Sequence, residues 1–289
     1  VSRVAFLSMD NLEDFFVYDD LLAEPLARAG WQVSSVPWRD SAINWNDYDV
    51  VVVRSCWDYQ QSPQEFEQCL RRINESSAQL QNPLDLMLWN LHKTYLKELA
   101  EKGVPIVPTA WAEHFNRDWL EQQFACFNAD ELIIKPVLSA NADDTFRLTL
   151  ETLDNMEAEL GRLFSHRAHM VQPFVGSVVS EGEYSLFYFS GQYSHAILKK
   201  PKHGDFRVQE EHGGALLAVE ADEALRQLSH QALAAMPASA LYARVDVIRT
   251  PAGWAIMELE LIEPSLYFNL DPQSPQRFVD AFVALHGAG

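Results

Sequence analysis

Arg244, Asp246, Glu258, Glu260 and Glu263 are threaded through an otherwise apolar stretch, Leu241 to Tyr267. Tyr242–Ile248 alternates and is rich in Val and Ile, Thr250-Pro-Ala-Gly253 has turn chemistry, and Trp254–Ile262 returns as a second strand. In a strand, residues i and i+2 share a face, so Arg244 pairs with Asp246, and Glu258 with Glu260. Carboxylates are costly to bury unpaired, and several converging oxygens suit Mg²⁺, a hard cation that also takes water and phosphate. The same alternation would also serve as the solvated outer face of an edge hairpin with Arg244 in an ordinary ion pair.

Two lysines add to this set. Lys135 ends an apolar run, ELIIKP, just before a proline and the loop LSANADDT. Lys93 falls at the start of a helix expected over His92–Lys102, capped by Asn90 and closed by Gly103. A cation there opposes the helix dipole, which invites a functional reason. Arg207 lies in HGDFRVQEEHGG, whose flanking glycines let a loop approach a ligand closely. It could equally be a surface arginine paired with Glu210 or Glu211.

The elements that must carry these groups read as α/β. Val4–Ser8, Trp31–Val36 and Asp49–Arg54 are expected strands, with a helix at Leu21–Ala29 ended by Gly30. They describe a Rossmann-like lobe ending near Pro83, without the GxGxxG turn of a dinucleotide site. Ligands in such sheets bind beyond the carboxyl ends of strands, which points to Asp10, Arg54, Trp57 and Asp58; Trp57 and Tyr59 could instead pack on the next helix. Pro83–Trp89 reads as a link. Further expected elements are an extended VPIVPT (104–109), a helix at Asp118–Phe127, strands at Glu131–Pro136 and Met170–Val175, and a hairpin of Glu183–Phe189 with Gln192–Lys199. Helices at Ala221–Met236 and Ser274–His286 complete the pattern.

Composition excludes several classes. With 22 basic against 41 acidic residues and a net charge of −19, nucleic acid and anionic membranes are disfavoured as partners. Three dispersed cysteines without a CxxC pair suggest neither a disulfide framework nor a zinc site. No leader pattern or bilayer-length apolar run is seen, so a cytoplasmic protein is expected.

The order of Lys93, Lys135, QPFV, a Glu-bearing hairpin, GDFR…GG, RVD and ELE…EP resembles the ATP-grasp superfamily of ligases. The GDFR loop is similar to that of the glutathione synthetase and ribosomal-protein-glutamate ligase group. RSCWDY, LWNLHKTYL, GVPIVPTAW, SHAILKKPKHGDFRVQ and MELELIEPSL are most similar to the D-cycloserine-biosynthesis branch, the O-ureido-serine cyclo-ligases. This resemblance covers nearly the whole chain. It implies an ATP-grasp fold, α/β (α+β), in three parts: a substrate lobe (1–85), a nucleotide-lid subdomain (86–172) and a metal and phosphate subdomain (173–289).

The resemblance further implies ATP and Mg²⁺, or Mn²⁺ in its place. Lys93 and Lys135 would meet the phosphates, Gln172, Pro173, Phe174 and Val175 the adenine, and Glu183 the ribose. Asp246, Glu258 and Glu260 would hold the metal, and Arg207 and Arg244 would face the γ-phosphate and acyl-phosphate oxygens. The expected activity is ligation: a small amino-acid-like carboxylate is activated as an acyl phosphate and attacked by a nitrogen, in the same molecule or another. A homodimer is compatible with this pattern.

Two departures mark this chain. Many ATP-grasp ligases have Glu-x-Asn where it reads Glu258-x-Glu260, which leaves Glu263 as an alternative ligand. The SANADDT loop replaces a glycine-rich flap, and its Asn141 and Ala142 are less permissive than glycine while Asp143 and Asp144 bring negative charge toward phosphates. That loop supports the rival reading, a nucleotide-binding regulatory or scaffold module without turnover.

Overall fold

The computed structural model describes residues 1–139, 142–208, 210 and 213–289. It holds three sheets, each built from consecutive strands. The first comprises β1 (Ser2–Ser8), β2 (Trp31–Pro37), β3 (Val50–Ser55) and β4 (Gln79–Gln81), parallel in the order β2-β1-β3-β4, with α1 (Ala23–Arg28) and α2 (Pro63–Asn74) between strands. The chain alternation explains why this sheet is apolar on both faces. Ala5, Leu7, Val51 and Val53 share a core with Phe66, Cys69 and Ile73 of α2. Val4, Phe6, Val50 and Val52 pack on the opposite side against Phe187, Tyr242, Phe278 and Phe282 from the far end of the chain. The first lobe therefore shares a core with the last third of the sequence.

The segment after Pro83 departs from the expected link and single helix. Leu84–Leu91 is α3, the chain then breaks, and α4 is only Tyr95–Glu101. Asn90 is not a cap. It lies in α3, where its side chain donates to Leu259 O at 2.7 Å and accepts from Leu261 N at 2.9 Å. Lys93 sits in the break just before α4, its own N–H bonded to Val137 O at 2.8 Å and its carbonyl to Leu96 N at 3.1 Å.

The second sheet is antiparallel, β5 (Ala110–Ala112), β8 (His169–Pro173), β6 (Leu132–Pro136) and β7 (Phe146–Leu148) in that order, backed by α5 (Arg117–Phe127) and α6 (Leu150–Phe164). The third follows α7 (Ser177–Ser180). It orders β11 (Ala215–Val219), β10 (Gln192–Lys200), β9 (Glu183–Phe189), β12 (Tyr242–Thr250) and β13 (Gly253–Glu260), again antiparallel, with α8 (Glu223–Ala234) and the terminal α9 (Ser274–His286) packed on it. Both hairpins expected from the sequence form. Among the described residues no helix is long and apolar enough to cross a membrane.

β13 is an edge strand, but it is not solvated. Its free backbone groups are taken by the preceding segment: Ile256 N by Pro105 O (2.8 Å), Ile256 O by Val107 N (3.0 Å), and Leu259 N by the Tyr95 hydroxyl (2.7 Å), beside the two Asn90 bonds. Covering an edge in this way removes a site for strand pairing and fixes where β13 points its glutamates. Truncating Asn90 would leave two buried backbone groups unpartnered, at about 1–3 kcal/mol each. Asn90→Ala should therefore lower the unfolding free energy by about 3 kcal/mol, read as a shifted urea midpoint at unchanged slope. A midpoint within experimental error of the parent would show that water replaces the amide at no cost.

Candidate active site

One cleft lies between the second and third sheets and reaches Trp57 and Tyr59 of the first lobe. Its floor is an exercise in strand register. Arg244 faces Glu260 and Asp246 faces Glu258 across the β12–β13 pair; Asp246 faces Ser185 on β9, and Glu183 faces Lys199 on β10. These polar side chains consequently share one face of an apolar sheet, where each finds a partner.

The resulting network is nearly closed. Arg244 holds Asp246 through Nε and a terminal nitrogen at 3.1 Å each and also grips Glu260. Lys199 bonds Glu183 at 2.5 Å and reaches Asp246 at 3.4 Å. Ser185 donates to Asp246, and Lys93 pairs with Glu258. Burial opposes the charge on Asp246, but Arg244 and Lys199 hold its pKa down to about 2. Burial likewise disfavours charge on Lys199, and Asp246 and Glu183 reverse that, holding its ammonium above the ordinary value.

Lys135, from β6 above, is different. Burial lowers its pKa, and among the described residues no carboxylate lies within ion-pair distance of it.

The other end of the cleft is apolar. Ile133, Pro173, Phe174, Val175, Val178 and Met257 line it. Gln172 is fixed by a 3.0 Å bond to Thr109, and Phe174 N bonds Glu131 O at 2.9 Å. The Arg147 guanidinium lies 3.7 Å from the Phe174 ring centroid and braces it from behind.

The structure brings together Lys93, Lys135, Gln172, Pro173, Phe174, Val175, Glu183, Arg207, Arg244, Glu258, Glu260 and Trp57 along this cleft. It does not bring the other expected residues there. Asp246 is 2% exposed and lies beneath the floor, engaged as above. Arg54 is fully buried and bonded to Asp19 (2.9 Å) and Pro264 O (3.2 Å), so it ties the first lobe to the segment that follows β13. Asp58 accepts from Trp38 Nε1 at 2.8 Å and pairs with Arg39, and Asp10 is exposed on the loop after β1. Arg54 and Asp58 are engaged by these partners, Asp10 is exposed, and none of the three lines the cleft.

Arg207 is also corrected in its neighbours. Its guanidinium forks onto Asp205 at 2.8 and 3.2 Å, whereas Glu210 receives the Tyr18 hydroxyl at 3.1 Å and Glu211 lies outside the described residues. In the SANADDT loop Asn141 lies outside the described residues. Asp143 accepts from Gln60 at 2.9 Å and keeps its charge, whereas Asp144 is neutralised by Arg167 at 2.5 Å.

Lys199, Ser265 and Tyr267 line the cleft without having been singled out from the sequence, and Tyr59, read there as a residue that could pack on the next helix, lines it too. Counting outward from the Ser190-Gly191 turn places Leu198 opposite Glu183, and a one-residue bulge between Tyr193 and His195 brings Lys199 there instead.

Among the described residues no three acidic, His or Cys side chains converge as a bound ion requires. Glu258 is turned to Lys93 and Glu260 to Arg244. The donor chemistry nevertheless suits Mg²⁺, since both carboxylates face the cleft half-buried. Burial, with Asp246 and Glu258 adding to it, pushes Glu260 up to about 7 despite Arg244. Glu263 is pushed up to about 8, by burial first and Glu260 next. A divalent cation would relieve this excess of carboxylate.

Comparison with known proteins agrees with this geometry. Residues 4–82 match the family model of the N-terminal domain of D-cycloserine synthetase DcsG. The cycloserine biosynthesis protein DcsG of Streptomyces lavendulae is 31% identical over 291 residues, covering 91% of each chain. The crystal structure of D-cycloserine synthetase DcsG matches with a TM-score of 0.88 at 28% identity, over 99% of this chain and 100% of that one. D-alanine–D-alanine ligase from Bacillus anthracis, solved with ATP, shares the fold at 13% identity, with a TM-score of 0.70 over 99% and 97% of the two chains. A cleft that passes from an apolar end to paired lysines and glutamates, on a chain with these relatives, places the protein in the cycloserine-synthetase branch of the ATP-grasp ligases, as an ATP-dependent ligase.

Proposed function

We propose that the protein uses ATP to convert a small amino-acid-like carboxylate into an acyl phosphate, and that a nitrogen of the same molecule then displaces phosphate to close a ring. The observation that carries this reading is the polarity gradient of one continuous cleft. A flat base fits the apolar end at Pro173, Phe174, Val175 and Met257, and a polyphosphate fits the end with Lys93, Lys135 and Arg244. The relatives named for cycloserine synthesis favour the intramolecular product.

In this reading Gln172–Val175 meet adenine and Glu183 the ribose, while Lys93 and Lys135 bind phosphates. Glu258 and Glu260 hold Mg²⁺, with Asp246 supporting them from beneath through Arg244. The bound ion would neutralise charge on the transferring phosphoryl group. Arg244, held in place by Asp246 and Glu260, aims its guanidinium at the acyl-phosphate oxygens, and Arg207 closes on them from the opposite loop. No covalent enzyme nucleophile is needed, because alignment and charge neutralisation suffice for phosphoryl transfer. The work divides along the chain into a substrate lobe (1–85), a nucleotide lid (86–172) and the metal and phosphate part (173–289).

The test is ADP release measured with O-ureido-serine, other amino acids and short peptides. ADP formed with an acid of this class supports ligation. Tight Mg-ATP binding with no ADP from any of them would favour the module without turnover. The pairing of Asp144 with Arg167 removes one of the two loop charges that favoured that module, and Asp143 keeps the other.

Metal binding has its own test. Glu260→Gln keeps size and removes a charge, so the Mg²⁺ concentration for half-maximal ADP formation should rise about tenfold. An unchanged Mg²⁺ requirement, with the thermal transition intact, would assign the ion to Glu258 and Glu263 instead.

A further inference from the structure

Residues 262 to 266 belong to no helix or strand, yet their backbone is held throughout. Each of five successive carbonyls lies at hydrogen-bond distance from a side-chain donor. Ile262 O meets the Tyr242 hydroxyl (2.9 Å), Glu263 O meets Trp57 Nε1 (2.9 Å), and Pro264 O meets Arg54 (3.2 Å). Ser265 O meets Arg244 (3.3 Å), and Leu266 O meets His195 Nε2 (3.0 Å). The donors come from β3, the loop after it, β10 and β12, so this rail is fixed by both lobes at once. A loop clamped in this way presents its side chains with little conformational entropy left to lose on binding.

Two of those side chains, Glu263 and Ser265, line the cleft. Glu263 stands apart from the other three glutamates there. Glu183 holds Lys199, Glu258 holds Lys93 and Glu260 holds Arg244, whereas among the described residues no cation lies within ion-pair distance of Glu263. It lies next to the first lobe: its carbonyl accepts from Trp57 Nε1 at 2.9 Å, and Trp57 and Tyr59 line the same cleft. A carboxylate beside aromatic rings is a fitting receptor for an organic ammonium, which gains from both.

We infer that Glu263 is the recognition group for the ammonium of an amino-acid substrate whose carboxylate is activated beside Arg244. This rests on the ligase reading above and specifies its substrate as a zwitterion, with the amine turned toward the first lobe.

The experiment compares ADP formation from O-ureido-serine with that from the same acid lacking the amino group, in the parent, Glu263→Gln and Glu263→Asp, beside equilibrium ATP binding on each protein. The parent should prefer the amine-bearing acid by about 10²-fold in kcat/KM, mostly through KM. Glu263→Gln should shrink that preference to within about fivefold and leave ATP affinity within about twofold, while Glu263→Asp, which keeps the charge, should retain most of it. A preference undiminished in Glu263→Gln overturns the assignment, and so does a raised Mg²⁺ requirement with the preference intact, which would make Glu263 a metal ligand. A parent protein that releases ADP with neither acid nor any other amino acid overturns the ligase reading and this inference together.

Discussion

Lys135→Ala is expected to weaken Mg-ATP binding about 10²-fold or more while leaving adenosine affinity within about twofold. The expectation follows from the isolation of this lysine. Every other buried cation of the cleft, Lys93, Lys199 and Arg244, already has a carboxylate, so its pairing with a phosphate must displace an existing bond. Lys135 has no such commitment among the described residues, and it is partly buried, which disfavours its charge in the absence of a partner. An anion placed there is repaid in full, because charge-assisted bonds strengthen where solvent is excluded. Removing the ammonium costs the phosphates and not the base, which sits at the apolar end. Calorimetric titration of both ligands is the measurement. Equal weakening of ATP and adenosine would mean that the strand end had collapsed and that Lys135 carries no phosphate.

Arg207→Lys is expected to slow single-turnover ADP formation about 10²-fold and to leave ATP affinity within about twofold, the scale of one electrostatic stabiliser acting in the transition state. The guanidinium is partly exposed at the cleft margin and rests on Asp205 in a two-pronged pair. That carboxylate, also bonded to the backbone of Phe206 and Arg207, is held well below the usual carboxylate range by the same guanidinium. Asp205 thus orients a fork that can exchange one two-oxygen partner for another, a geometry that lysine does not reproduce. A contact made only during transfer appears in turnover and not in capture of the nucleotide. Undiminished turnover in Arg207→Lys would remove the residue from the mechanism.

Apart from β4, β5, β7 and β11, the strands were legible in the sequence, as were the two hairpins, the glutamate-bearing face of β12 and β13, and the ATP-grasp resemblance. Their signals are local. Alternation in Tyr242–Ile248 states which residues share a face, and Ser190-Gly191 states where the chain turns, whatever else surrounds them. The same locality explains the errors. Asn90 looks like a helix cap because a cap needs only its own neighbours, but its amide is used across 169 residues to hold Leu259. Arg54, Asp58 and Asp10 stand at or near strand ends, where ligands gather, and only the folded chain shows that Asp19, Arg39 and Trp38 have taken the first two. Which carboxylates are already paired was decided by tertiary structure alone. Glu183, Glu258, Glu260 and Glu263 are chemically identical in the sequence. Three of them meet a lysine or arginine from another strand or lobe and one does not, because charge pairing acts over a few ångströms of space and takes no account of distance along the chain.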